Sequence, residues 1–400
     1  MGSSLGTHRM KGIPTGPWDS RLDGRSESVD QRAFVEFDYS KSFSRQSLKI
    51  ATSWDLYRYR GEYAYPDLDY RDESVGSWGN IQVEYQLELN EKNRLIAGTE
   101  WHYSLKSNYM EVQDGVESFY RNNEFNNASL FVQYDYILSD KLRFLAGIRL
   151  DDYSYTKLSV SPRLSASYMP DKNIHINYSF NKAFRAPNFY EMFYESEGEN
   201  SPNPDLTHEV IYYNNLSIRA KLTGNLRGGT SLFRYKMDKL IDPVTNDEDL
   251  VMFINKGDAT GTGVQFVLEG NLFKNMSLLG SYTLQELTIT DSEGDKARAS
   301  NCPVNLVKAH FAYYIPKIGS LGLQNHWESG RKMINEDKTS SSWVSALNLR
   351  TVRLLHRFIV NLKVNNLFDT KYYHPAGMEH AQGQIVQPRR NYVISAEFKL

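Results

Sequence analysis

Along most of this chain, apolar and polar residues take turns in short runs. The clearest run is Ile81-Gln82-Val83-Glu84-Tyr85-Gln86-Leu87-Glu88, and after Asn90-Glu91-Lys92-Asn93 the alternation resumes with Leu95, Ala97, Thr99, Trp101 and Tyr103. A period of two gives a strand one greasy face and one wet face. The same pattern recurs in Val35, Phe37 and Tyr39, in Leu48, Ile50, Thr52, Trp54 and Leu56, and in Leu130, Val132, Tyr134 and Tyr136. Later runs include Leu142, Phe144, Ala146, Ile148 and Leu150, then Ile174, Ile176, Tyr178 and Phe180. The chain closes with Phe358, Val360, Leu362 and Val364, followed by Tyr392, Ile394, Ala396, Phe398 and Leu400. Charged residues such as Arg143, Arg149, Asp151, Lys363 and Glu397 fall on the opposite face.

Short turns are expected at 40–47, 90–93, 138–141, 170–173, 221–225, 273–276 and 316–319. Long loops are expected at 59–78, 106–126, 182–207, 288–302, 330–341 and 369–387. The two kinds alternate, as they do in a membrane barrel with short periplasmic turns and long outer loops. The pattern therefore predicts an all-β, antiparallel transmembrane β-barrel wall of about seventeen strands. Trp54, Leu95, Trp101, Ile148, Ile176 and Val360 should face lipid, and Glu84, Glu88, Glu100, Arg149 and Asn177 the lumen. A one-residue slip would exchange the two sets, so the register is strongly specified.

Parity makes the first expected strand, 33–39, run inward from the cell exterior. Residues 1–32 are then expected as an outer loop or disordered lead-in, and 33–400 as the barrel. Single-chain bacterial barrels have an even strand number and start on the periplasmic side. The odd count, and an opening Met1-Gly2-Ser3-Ser4-Leu5 with no apolar signal core after it, both point to further protein upstream.

Composition agrees with this reading. The 400 residues include 27 Tyr, 19 Phe and 6 Trp, and membrane barrels gather aromatics in girdles at both interfaces. Mean hydropathy is -0.55, and no apolar run approaches the roughly 18–20 residues of a helical span. A net charge of -2 argues against a general nucleic-acid binder, which would be basic. The single Cys302 forbids an internal disulfide and reads as a passive loop residue.

Several motifs appear in a fixed order. Ser161-Pro162-Arg163-Leu164 precedes Asn181-Lys182-Ala183-Phe184-Arg185-Ala186-Pro187, which leads to Asn203-Pro204-Asp205-Leu206-Thr207-His208-Glu209. Phe233-Arg234-Tyr235 with Leu240-Ile241 and then Gly261-Thr262-Gly263-Val264-Gln265 follow. Asn365-Asn366-Leu367-Phe368-Asp369 with Tyr372-Tyr373, and Gln387-Pro388-Arg389-Arg390-Asn391-Tyr392, close the series. The ordered set resembles the TonB-dependent outer-membrane receptors across nearly the whole chain. That resemblance implies a 22-stranded barrel plugged by an N-terminal domain, a known size for outer-membrane transporters. The chain would then be about the last 17 strands, incompletely closed, without the plug or the TonB box.

Candidate chemistry is sparse. Arg185 and Pro187 read first as structural residues at a strand end, where proline removes a ladder donor. Between the two central boxes, haem-uptake relatives carry a histidine, whereas residues 188–202 here contain none. Tyr190, Met192 and Tyr194 are the residues there able to ligate haem, against a simpler reading as packed loop aromatics. His374 and His380 flank Met378 and Glu379 in the last loop, a plausible ligand set in a spacing that fits no metal motif. The acidic stretches Glu195-Glu197-Glu199 and Asp247-Glu248-Asp249 read as solvated faces before calcium sites. His208-Glu209 begins like HExxH, but position 212 is Tyr, so the zinc-protease pattern is absent.

The resemblance implies a transporter without bond chemistry or cofactor, importing a ferric siderophore or a similar scarce iron complex. Its partners would be outer-membrane lipid and lipopolysaccharide, the TonB complex and the iron chelate. Arg185, Tyr190, Tyr194, His374 and His380 are the candidate ligand contacts. Haem, cobalamin or oligosaccharide uptake by the same mechanism is the alternative within the class. Outside it stand a barrel enzyme or adhesin without energy coupling, and a soluble all-β binding protein extractable without detergent.

Overall fold

A computed structural model describes residues 2–11, 26–64, 68–196, 198–290, 294–352, 357–377 and 382–398. Strand β1 (Gly2–Lys11) pairs with β2 (Glu27–Ser42), and the antiparallel ladder continues through β3 (Gln46–Ala64), β4 (Asp69–Asn90) and β5 (Asn93–Gln113). The upper part of β5 pairs with β6 (Val116–Asn122), and its lower part with β7 (Asn126–Ser139). Next come β8 (Leu142–Tyr153), β9 (Ser159–Asp171) and β10 (Ile174–Arg185), followed by helix α1 (Phe189–Phe193). The ladder resumes in β11 (Glu209–Lys221) and β12 (Leu226–Asp238), while β13 (Ile241–Thr245) and β14 (Val251–Asn255) make a separate hairpin. Then follow β15 (Asp258–Phe273), β16 (Met276–Thr290), the short β17 (Lys296–Arg298), β18 (Asn305–Ile315) and β19 (Gly319–Glu328). β20 (Ser342–Thr351) and β21 (Phe358–Asn365) lead through the small hairpin β22 (Tyr373–Pro375) and β23 (Gln384–Val386) to β24 (Asn391–Phe398).

Among the described residues every pairing in this sheet is antiparallel, and the long strands pair in chain order, passing over only the short β6 and β17 and the separate hairpins β13–β14 and β22–β23. Among the described residues β1 pairs only with β2, and β24 only with β21. The sheet is thus a wall of a large barrel that hydrogen bonds do not close.

Two expectations need correction. Residues 1–32 are not simply a lead-in: Gly2–Lys11 is a paired strand, and β2 already begins at Glu27. The polar sequence of these residues hides the alternation that a lipid-facing strand would show. Residues 59–78 and 106–126, expected as loops, are largely ladder, because β3, β4 and β5 run for 19, 22 and 21 residues. A tilted strand needs only about 9–11 residues to cross the hydrocarbon. The upper halves of these strands therefore stand outside the membrane, where both faces are polar and the greasy alternation stops.

The membrane register is as expected. Trp54 and Trp101 are each 52% exposed and Ile148 43%, all on the outward face. On the inward face Lys49 Nζ sits 3.2 Å from Glu84, and Arg149 bridges Glu100 at 2.5 Å and Asp151 at 2.9 Å. A single-layer wall has no interior of its own. Among the described residues the buried apolar cluster, Met192, Leu206 and Ile241, lies instead in the outer loops.

Candidate functional site

The outer loops assemble on Arg185. This last residue of β10 donates from Nε and Nη2 to Glu209 at 2.6 and 2.9 Å, and from Nη1 to both Glu191 oxygens at 2.9 Å. Glu191 in turn closes a capping box on α1: Asn188 Oδ1 accepts from the Glu191 amide, and Glu191 accepts from the Asn188 amide, each at 2.8 Å. Such reciprocal capping satisfies the free donors of a helix start. Glu209 also accepts from the Ile241 amide at 2.8 Å. One guanidinium therefore fixes the start of α1, the start of β11 and the β13–β14 hairpin. Its charge is used inside the scaffold.

The second box does similar work. Asn203 Nδ2 donates to the Phe253 carbonyl at 2.8 Å, its Oδ1 accepts from the Asp205 amide at 3.1 Å, and Leu206 is 3% exposed in the loop core. Pro187 is fully buried.

Held in this way, α1 presents aromatics at i and i+4, which share a helix face. Phe189 and Phe193 pack at 5.7 Å, with Phe189 against Phe125 and Tyr155. On the adjacent face Tyr190 and Tyr194 stack at 4.4 Å. Their partners come from a distant part of the wall. Tyr109 meets Tyr190 edge-on at 6.4 Å and Tyr194 at 6.1 Å, and Phe119 meets Tyr194 at 5.6 Å. Edge-to-face contacts of this kind add about 0.5–1.5 kcal/mol each beyond area burial.

Behind these rings lies an acidic pair. Glu111 is 2% exposed and accepts from the Tyr109 hydroxyl at 2.8 Å; after burial, its carboxylate also helps to raise the Tyr70 and Tyr194 phenols. Asp72 stands directly opposite Glu111 in the β4–β5 register and opposite Gly61 in β3. A side chain at Gly61 would collide with Asp72 Oδ1 and the Tyr59 and Tyr63 rings, so glycine leaves the room they occupy. Asp72 Oδ1 is buried with no hydrogen-bond partner among the described residues. Burial, reinforced by the Glu111 charge, pushes its carboxyl up to about 6. Like charges directly across a strand pair repel, and here they do so outside the membrane on an aromatic-lined wall.

The surroundings of Tyr190 and Tyr194 favour the protonated phenol over the phenolate that haem ligation uses. Burial together with the Glu111 charge pushes both phenols above their ordinary range. His374 lies apart from these tyrosines, 3.8 Å from Glu328 and edge-on to Tyr372 at 5.7 Å. Burial and the Arg331 charge hold its imidazole below the ordinary value. His380 lies outside the described residues. Among the described residues no group of three or more His, Cys, Asp or Glu could hold a metal ion. Burial pushes the Cys302 thiol up, away from nucleophile chemistry.

The sequence pointed to the α1 tyrosines as candidate contacts and did not single out the residues the fold brings beside them, Tyr109, Phe119, Glu111 and Asp72. The available signal was the two-residue spacing of Tyr57, Tyr59, Gly61 and Tyr63, which is strand periodicity inside an assumed loop.

The family described as TonB dependent receptor-like, beta-barrel matches residues 4–367. Among solved structures, the ferric yersiniabactin uptake receptor of Yersinia pestis superposes with TM-score 0.75 at 13% identity, covering 100% of this chain and 67% of that one. The ferripyoverdine receptor of Pseudomonas aeruginosa gives 0.73 at 15% identity, with 99% and 62% covered. The ferric preacinetobactin receptor of Acinetobacter baumannii gives 0.70 at 13% identity, with 97% and 66% covered. The chain thus spans less than two thirds of the length of the last two. No curated protein matches the sequence.

Proposed function

Because the chain belongs to the TonB-dependent receptor β-barrel family of the outer membrane, whose members are transporters and not enzymes, we propose that it forms the outer-mouth wall of a ferric-siderophore importer energised through TonB. The observation that carries this reading is the tyrosine shelf of Tyr190 and Tyr194 facing Tyr109 and Phe119. Flat aromatic rings beside a few polar groups suit a chelate with apolar faces, since binding sites are mostly apolar with a few placed polar groups. Asp72 and Glu111 behind the rings disfavour a chelate whose leading face is anionic, by like-charge repulsion at short range. The three solved proteins named above are receptors for ferric yersiniabactin, ferripyoverdine and ferric preacinetobactin, and they share this fold.

The test uses the protein as it occurs in its native outer membrane, purified in mild detergent, and three probes: a cationic ferric trihydroxamate, its N-acetylated neutral form and an anionic ferric tris-catecholate. Intrinsic fluorescence should quench saturably with the first, less with the second and least with the third. The Y190A/Y194A double variant should lose the quench. Binding that survives the double variant would place the contact elsewhere. Saturable binding of haem or cobalamin, with none of the three iron complexes bound, would replace the siderophore reading.

A further inference from the structure

At the short-turn end of the wall, the inward face of β10, β11, β12 and β15 carries positive charge that the chain leaves unpaired. Ile218 and Phe266 point outward, 44% and 47% exposed, so their neighbours Arg219 and Val267 point into the lumen. One inward row reads Asn173, Lys221, Arg227 and Glu269, and the row above it His175, Arg219, Gly229 and Val267. Lys221 thus stands directly opposite Arg227, and Arg219 lies one step above, opposite His175. Gly229 has no side chain, so the rows open into a hollow. With the β9–β10 turn they line a cavity of about 360 Å³, within the size range of small-ligand pockets.

Two carboxylates share this cavity. Asp171 Oδ1 accepts from the Asn173 amide at 2.7 Å and holds the turn, and Glu269 stands opposite Arg227. Against them stand four cations, Lys172, Arg219, Lys221 and Arg227. Among the described residues none of the four forms an ion pair or donates a side-chain hydrogen bond to the protein. The hollow therefore holds an excess of two positive charges.

Other inward cations are matched by the wall itself. Lys49 pairs with Glu84 at 3.2 Å, Arg350 with Glu397 at 3.1 Å, and Arg94 with Asp135. Among the described residues Arg143 and Lys363 stand without a carboxylate, and a wet lumen solvates such single charges. Lys221 and Arg227 are different, because like charges directly across a strand pair repel. Arg219 adds a third charge from the next row. An anion held between them turns that repulsion into attraction.

We propose that Arg219, Lys221 and Arg227 form a binding site for a doubly charged oxyanion of the phosphate type at the inner mouth of the lumen. A guanidinium donates in a planar fork that matches the oxygens of phosphate, and an ammonium adds a point charge. The excess of two positive charges matches a dianion. The site faces the lumen, away from membrane lipid, and lies at the opposite end of the wall from the tyrosine shelf. It does not rest on the siderophore reading. Bound there, the anion ties the end of β11 to the start of β12.

Isothermal titration calorimetry tests the proposal on the protein as it occurs in its native outer membrane, purified in mild detergent and phosphate-free buffer. The probes are inorganic phosphate and glycerol phosphate. Saturable binding is expected at pH 7.5, and the tighter probe identifies the free ion or a phosphomonoester as the occupant. R219Q/R227Q should weaken binding about tenfold or more, the scale of losing two charged hydrogen-bonding groups. R143Q, which removes an isolated inward cation, should leave it unchanged. E269Q removes the carboxylate opposite Arg227 and should tighten binding severalfold, a gain that a damaged fold cannot produce. No saturable binding of either probe, equal binding by R219Q/R227Q, or weaker binding by E269Q would overturn the proposal. So would capture of a glutamate-rich peptide that phosphate cannot displace, because the hollow would then be a protein-docking surface.

Discussion

Arg185 and Glu209, separated by 24 residues of chain, face each other across β10 and β11 and share two hydrogen bonds of 2.6 and 2.9 Å. The side chain of Glu209 is only 13% exposed. Removing the guanidinium therefore leaves two largely buried carboxylates, Glu209 and Glu191, without their cation. R185A should loosen the α1 loop by about 2 kcal/mol, the scale of charged hydrogen bonds. Limited proteolysis within residues 186–208 should speed up while the barrel wall stays resistant. An unchanged cleavage rate would show that the loop is held by its aromatic contacts alone.

The same pair sets an acid limit. Burial would raise the Glu209 carboxyl, but Arg185 and the Ile241 amide overcome it and leave it below its ordinary value. A lowered carboxyl contributes stability above its unfolded pKa, and that stability is lost as pH falls through the folded value. Loop protection should therefore hold at pH 6 and fade below about pH 4, and E209Q should flatten this dependence in hydrogen exchange.

Asp72 has the opposite sign. Its carboxyl is raised to about 6, so the folded chain favours the protonated form. The stability this supplies is complete below the unfolded value and lost as pH rises through about 6. D72N should raise the melting temperature of the outer hairpins at pH 7.5 and leave it unchanged near pH 4. A variant less stable at pH 7.5 would mean that the ionised carboxylate has a favourable partner.

The motifs were legible as an ordered set, and the structure supplies reasons for them. Phe233 lies directly opposite Gly263, and Tyr235 opposite Gly261; a Cβ on either glycine would strike the facing ring. The two motifs are halves of one packing arrangement in which rings cover glycines. Asp369 and Arg389 likewise join the closing motifs through bonds of 2.9 and 2.6 Å. Alternation revealed the membrane strands because lipid enforces it. It was silent about β1, whose sequence is polar, and about the upper halves of β3 to β5, where lipid no longer imposes the pattern, and about the shelf, whose members lie far apart in sequence. G263V should cost about 1–3 kcal/mol, as overpacking does, measured by urea unfolding in detergent. A smaller cost in the G263V/F233A pair than the two single changes sum to would confirm the contact.

Lipid exposure of the outward face can be tested at one site. Ile148 sits mid-strand in β8 and is 43% exposed. I148K should destabilise the wall in a bilayer by about 2–4 kcal/mol, whereas Q86K, on the inward face of β4, should cost far less. Equal costs would mean that the two faces of the wall have been exchanged.

The last expectation concerns the two edges. All eight residues of β24 are exposed, and among the described residues it pairs with β21 alone. β1 has only β2. Each unpaired backbone group held in hydrocarbon costs several kcal/mol, and bare edges recruit other strands. Residues 1–400 produced alone should therefore self-associate through β1 and β24, or enter membranes poorly, unless further strands cover these edges. In a C302S background, cysteines at Leu5 and Ile394 should cross-link between chains and not within one. A dominant intramolecular cross-link would mean that the wall closes on itself as a smaller barrel. The even number of strands running through the sheet would then be that of a complete cylinder, and the open edge would have to be abandoned.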